Sequence, residues 1–180
     1  MEDNTVGITA FPIVSGAQVV AGGDSTAKQE PGTIMAYRSA TDQWALVEYV
    51  QAGNSVIERY ICAVSNHATL KSYSVRVPVV GDSGSPIRGI AIATIASQKF
   101  GFIAIGGYVE NALVSSSAAA SGEYLRLSGS TAGNLTAINA SVFNNGTQGN
   151  ASAFVVVAVC KGLLTSSAVA GSVQLLGVWG

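Results

Sequence analysis

Apolar residues alternate with polar or small ones at a period of two along most of the chain, and helical spacing of three and four is scarce. Ile34-Met35-Ala36-Tyr37-Arg38 and residues 44–50 read as paired strands across the turn Ser39-Ala40-Thr41-Asp42. Strand-like runs follow at 55–64 and 73–80, with a polar stretch between them that opens Ser65-Asn66-His67-Ala68. Residues 89–95 and 100–105 read as a hairpin joined by Ser97-Gln98-Lys99. The pattern ends with runs at 123–127, 154–160 and 173–178. Short strands punctuated by Gly and Ser predict an all-β fold, a sandwich or barrel of antiparallel strands. A boundary near 81–86 would divide it into two small β subdomains, residues 1–85 and 86–180, the first carrying an arm.

Composition narrows what such a fold can do. Of 180 residues, 26 are Ala, 21 Gly and 21 Ser, only 11% are charged, and the net charge is −1. With 48% hydrophobic residues, the chain is no charge-rich disordered segment. Its longest purely apolar run, residues 153–160, is far short of the roughly 20 residues that cross a bilayer as a helix, so no membrane partner is expected. Nine basic residues scattered among ten acidic ones form no patch for phosphates, and no nucleic-acid partner is expected. So low a charge leaves few ions for the exterior. A Ser/Thr/Asn/Gly coat or a covering protein subunit must supply the rest.

The charge is also uneven. Residues 111–180 contain only Glu123, Arg126 and Lys161. Within them, 128–152 is almost all Ser, Thr, Asn, Gly, Ala and Gln, broken by Leu135, Ile138, Val142 and Phe143. It reads as a long loop or protruding arm, too polar for the core. Four glycosylation sequons begin in it, at Asn134, Asn139, Asn145 and Asn150. The acidic, polar start Met1-Glu2-Asp3-Asn4-Thr5 leads to no signal-peptide h-region, so the sequons read as a by-product of composition. Cys62 and Cys160 each lie in an apolar run and read as free buried thiols.

Candidate chemistry is sparse. Gly81-Asp82-Ser83-Gly84-Ser85-Pro86 resembles the nucleophile loop of chymotrypsin-like serine proteases, with Ser83 as nucleophile. That chemistry needs a histidine base and an orienting carboxylate. The only histidine, His67, lies 16 residues upstream outside that family's context, and the chain before Ser83 is too short for the barrel that carries the partners. The segment reads as a turn. One His and two distant Cys make no metal site, and Gly22-Gly23 and Gly106-Gly107 lack the strand-to-helix setting of phosphate loops. Glu48 and Glu58 read as surface carboxylates of hairpins. Tyr37, Trp44, Tyr49, Tyr60, Tyr73, Phe100, Phe102 and Tyr108 read as core packing, with a sugar-stacking platform as the lesser reading. No catalytic, cofactor or metal residues are assigned.

The second half has a recognisable order. Arg88-Gly89-Ile90-Ala91 leads to Phe100-Gly101-Phe102-Ile103, then Gly106-Gly107-Tyr108-Val109. Ala119-Ala120-Ser121-Gly122-Glu123-Tyr124-Leu125, Val157-Ala158-Val159-Cys160 and Val173-Gln174-Leu175-Leu176-Gly177 follow. This order resembles a segment of head decoration (cement) proteins and other small structural proteins of tailed bacteriophages. The stretch from Ser15 to Asp24 resembles their openings. Glu123 stands where an Asp is common, and 128–152 is an insertion. The resemblance implies a non-enzymatic virion protein, a homotrimer bound to the major capsid protein on the outer capsid surface and assembled in the host cytoplasm. A tail or fibre component is the neighbouring alternative, and a secreted adhesin or carbohydrate-binding β-sandwich the one outside that class.

Overall fold

The structure, a computed structural model, describes residues 12–56, 58–65, 73–79, 87–114, 120–128, 131–138, 158–162 and 169–176. They form eleven strands, one 3₁₀ turn at Gly16–Gln18 and no α-helix. In chain order the strands are β1 (Ile13–Val14), β2 (Ile34–Arg38), β3 (Trp44–Ala52), β4 (Ile61–Val64), β5 (Ser74–Arg76) and β6 (Ile87–Ala91). Then come β7 (Phe100–Val114), β8 (Tyr124–Leu127), β9 (Leu135–Ala137), β10 (Ala158–Cys160) and β11 (Val169–Leu175). The all-β expectation holds.

The strands close on themselves. The order β3-β5-β4-β6-β7 returns to its start because β7 also pairs with β3, giving a five-stranded barrel. Each of those strands sends at least one residue inward: Val50 and Ala52, Val75, Cys62, Ala91, and Ile103 with Ile105. Closure leaves no open edge in this part of the sheet. A second circuit, β7-β11-β10-β8-β9, returns to β7 through the single pair Val114↔Leu135. Val109, Val114, Leu125, Leu135, Cys160, Val173 and Leu175 pack inside it. That cluster continues onto Ala45, Ile61, Ile87 and Ile90 from the barrel wall.

Both circuits share β7, and its length depends on two irregularities. Between Leu46↔Gly106 and Val47↔Ala104 an extra residue of β7 is unpaired. Between Val173↔Val109 and Gly171↔Ala112 the strand again carries one residue more than its partner. Such bulges sharpen the local twist, and they let one strand leave the barrel at Gly107 and enter the second circuit. Gly107 has φ +86°, and a Cβ there would stand 2.7 Å from the Trp44 carbonyl oxygen. No other residue type meets both demands. Strands from before and after residues 81–86 thus interleave in one sheet, while 81–86 themselves lie outside the described residues.

Beyond the barrel, β1 and β2 extend the sheet from β3, covering Val47, Tyr49 and Phe102 with Val14 and Met35. The register Ile34↔Glu48 through Arg38↔Trp44 is the hairpin that the alternation predicts. Tyr49 is fully buried between Phe100 and Phe102, at ring-centroid distances of 6.1 and 5.0 Å. Its hydroxyl accepts from the Lys28 backbone N–H (3.2 Å) and donates to Asp24 (3.3 Å), which Lys28 Nζ also reaches at 2.6 Å. The segment before β2 is therefore fastened to the barrel by a buried phenol.

Two sequence expectations are corrected here. Residues 131–138 are not part of a protruding arm. Leu135–Ala137 is a strand paired with β8, and Leu135, Ala137 and Ile138 are buried. A three-residue strand needs only one or two apolar side chains, and the neighbouring strands satisfy its backbone. The remaining parts of that expectation, 129–130 and 139–152, lie outside the described residues. Second, the runs at 55–64 and 73–80 yield shorter strands. Val56 makes only an isolated bridge to Ile95, and β4 and β5 cover Ile61–Val64 and Ser74–Arg76.

Candidate functional site

The feature that gathers most chemistry is a cleft of about 140 Å³ where the two circuits meet. Tyr37 and Ser39 reach it from the end of β2, and Ala45 from β3 lies directly opposite Tyr37. Tyr108 and Glu110 enter from β7, two positions apart and hence on one face of the strand. Glu58 and Arg59 come from the turn before β4, while Ala91, Ile92 and Val109 form the floor.

The backbone fixes these positions. Arg59 holds the left-handed conformation at φ +75°, its N–H bonded to the Ala91 carbonyl (2.8 Å) and its own carbonyl accepting from Leu113 (3.2 Å). Asn111, at φ +60°, falls in the second β7 bulge next to Glu110. Bulges of this kind re-aim a side chain out of the regular alternation. Ser39 Oγ then donates to Glu110 Oε1 at 3.0 Å and holds the carboxylate against the β2 end. Glu58 pairs with its neighbour Arg59 at 3.6 Å. Burial first, and then the charges of Glu110 and Glu58, hold the Tyr37 hydroxyl above its ordinary value near 10, so it is a protonated donor at neutral pH. The cleft offers aromatic surface, fixed acceptors and fixed donors.

A second polar feature lies in the barrel. Glu48 is fully buried on β3, and Arg88 of β6 grips it with two bonds of 2.7 Å, Nε to Oε2 and Nη2 to Oε1. The expectation that Glu48 and Glu58 are like surface carboxylates is corrected for Glu48: only Glu58 is exposed, and Glu48 is committed to Arg88. The β4–β6 register slips between Cys62 and Ala63, leaving Arg88 as the extra residue of β6. That irregularity lets Arg88 turn toward Glu48 out of its own alternation.

The remaining candidates fall as follows. Ser83, Asp82 and the rest of 81–86 lie outside the described residues, as does His67. Gly22 and Gly106 occupy an isolated bridge and the interior of β7, neither of them preceding a helix. Among the described residues no three His, Cys, Asp or Glu side chains converge on a metal position. Of the aromatics, Tyr49 and Phe102 are core. Tyr37 and Tyr108 line the cleft, and Trp44 is half exposed beneath the Arg38 guanidinium, 5.7 Å from its ring centre. The sequon at Asn134 is occluded, since Asn134 is only 4% exposed; the sequons at 139, 145 and 150 lie outside the described residues.

Cys62 and Cys160 are free and buried, as expected. Burial pushes the Cys62 thiol up to about 12. Thiolate chemistry at pH 8 is thereby suppressed. Native protein should leave Cys62 unalkylated by iodoacetamide over an hour and alkylate it promptly in 6 M guanidinium. Peptide mass spectrometry showing fast native labelling would contradict the barrel interior described above.

No protein-family model matches this chain, and no curated protein matches it.

Proposed function

We propose that this chain is a non-enzymatic structural protein of a phage virion, one that binds and stabilises the capsid from outside as a homotrimer. The observation that carries the proposal is the residue order from Arg88 to Gly177, which resembles that of head decoration proteins. Supporting it, the stretch that follows β7 is nearly free of ions, with three charged side chains in 111–180. A face poor in charge is covered by another protein at little desolvation cost. Tyr124 and Leu176, respectively 51% and 50% exposed at the second circuit, are apolar groups of the kind such contacts bury. At the other end of the strand order, β1 is an edge strand of two residues with Ile13 exposed, the kind of edge to which an extended segment of another protein adds.

Quantitative mass spectrometry of density-banded particles tests this reading. Copy numbers comparable to those of the major capsid protein are the expected result. A handful of copies would move the protein to a tail, fibre or vertex, and absence from particles would refute a virion role.

A further inference from the structure

We propose that the cleft between the two strand circuits binds a neutral saccharide, one pyranose ring of the hexose class. The inference is independent of the virion reading, since it rests on the cleft alone.

At about 140 Å³ the cleft has room for a single ring. Tyr37 and Tyr108 border it from different strands. Tyrosine rings stack on the C–H faces of sugars and place a hydroxyl at the rim. The polar lining is mixed in kind. Glu58 and Glu110 only accept hydrogen bonds, Arg59 only donates, and Asn111 does both. A sugar hydroxyl also does both, so each of these groups finds a partner on one ring.

Charge argues against an anion, which meets two carboxylates in the cleft, and a cation meets the Arg59 guanidinium that already pairs with Glu58. A neutral polyol meets neither penalty and draws on both sets of charge-assisted bonds. One acceptor is set before binding, since Ser39 holds Glu110, and the Arg59 backbone is fixed by its bonds to Ala91 and Leu113. Preorganised groups of this kind lose little entropy when a ligand arrives.

Saturation-transfer NMR and calorimetry on the full chain, with methyl glucoside, methyl galactoside and methyl mannoside as probes, decide the matter. At least one should bind with a dissociation constant of about 1 mM, the strength open to a ligand of a dozen heavy atoms. Tyr108→Ala should weaken that binding at least about tenfold through loss of stacking. Glu110→Gln, which keeps the Ser39 contact and the shape, should weaken it several-fold, so the result does not hang on the stability of Tyr108→Ala. Trp44→Ala, on the other face of the β2–β3 hairpin by strand alternation, should leave it unchanged. Failure of all three sugars to bind would overturn the proposal. So would binding that survives both cleft substitutions, or that is matched by an acidic or amino sugar alone.

Discussion

Replacing Arg88 with methionine is expected to lower the free energy of unfolding by about 3–5 kcal/mol at pH 7, the range for removing one partner of a buried ion pair. Glu48 is the reason. Its side chain is 1% exposed, and both carboxylate oxygens are engaged by Arg88. Without the guanidinium the carboxylate is stranded in an apolar barrel. Its ladder neighbour Ile103 offers no side-chain hydrogen bond. The partnership is reciprocal, for the bond to Glu48 is the leading cause that raises the Arg88 guanidinium above its ordinary value.

The double variant Glu48→Leu/Arg88→Met should recover most of the loss, because a well-packed apolar pair of similar volume is commonly neutral or better. Arg88→Lys should recover little, since an ammonium cannot make the two-pronged contact. Urea denaturation at pH 7 reads all three. A single-variant cost below about 1 kcal/mol, the value of an exposed pair, would show that the barrel admits water at this point.

The same pair marks how far the sequence carries. Charges are so rare in this chain that a lone Glu inside Trp44-Ala45-Leu46-Val47-Glu48-Tyr49-Val50 and a lone Arg before Gly89-Ile90-Ala91 were signals of a buried couple. They escape notice because the alternation alone assigns Glu48 to a solvent face, whereas both faces of β3 are covered. The β2–β3 hairpin was legible to the residue, since turn and alternation agree there. β7 was legible only as far as Ile105. Gly106-Gly107 interrupts the alternation in sequence, yet the bulges at Ile105 and at Glu110-Asn111 carry the strand onward. β9 was invisible for a different reason. Three residues hold no periodicity, and only pairing with β8 and β7 makes them a strand. The cleft inherits both problems, because the bulge at Asn111 and the left-handed Arg59 help assemble it from five separate segments.

Deleting residues 173–180 is expected to abolish cooperative folding of the second circuit, not to trim an end. The segment contains half of β11, whose pairs run to β7 on one side (Val173↔Val109, Gln174↔Tyr108, Leu175↔Gly107) and to β10 on the other (Cys160↔Val173, Val159↔Gln174, Ala158↔Leu175). Its removal opens two sheet edges at once and breaks the closure of the circuit. Val173 and Leu175 are fully or almost fully buried, and losing a large buried aliphatic group costs about 2–5 kcal/mol. Two such losses, with the ladder bonds, consume a typical domain stability of about 5–15 kcal/mol. Hydrogen exchange then separates the two circuits. Amides of β8, β10 and the 107–114 half of β7 should lose protection. Those of β3 and β4, whose inward residues form the separate barrel cluster, should retain more. A truncated chain that melts in one sharp transition within a few degrees of the intact protein would mean that β7 and β10 hold together without β11. The closed second circuit would then play no part in holding the fold.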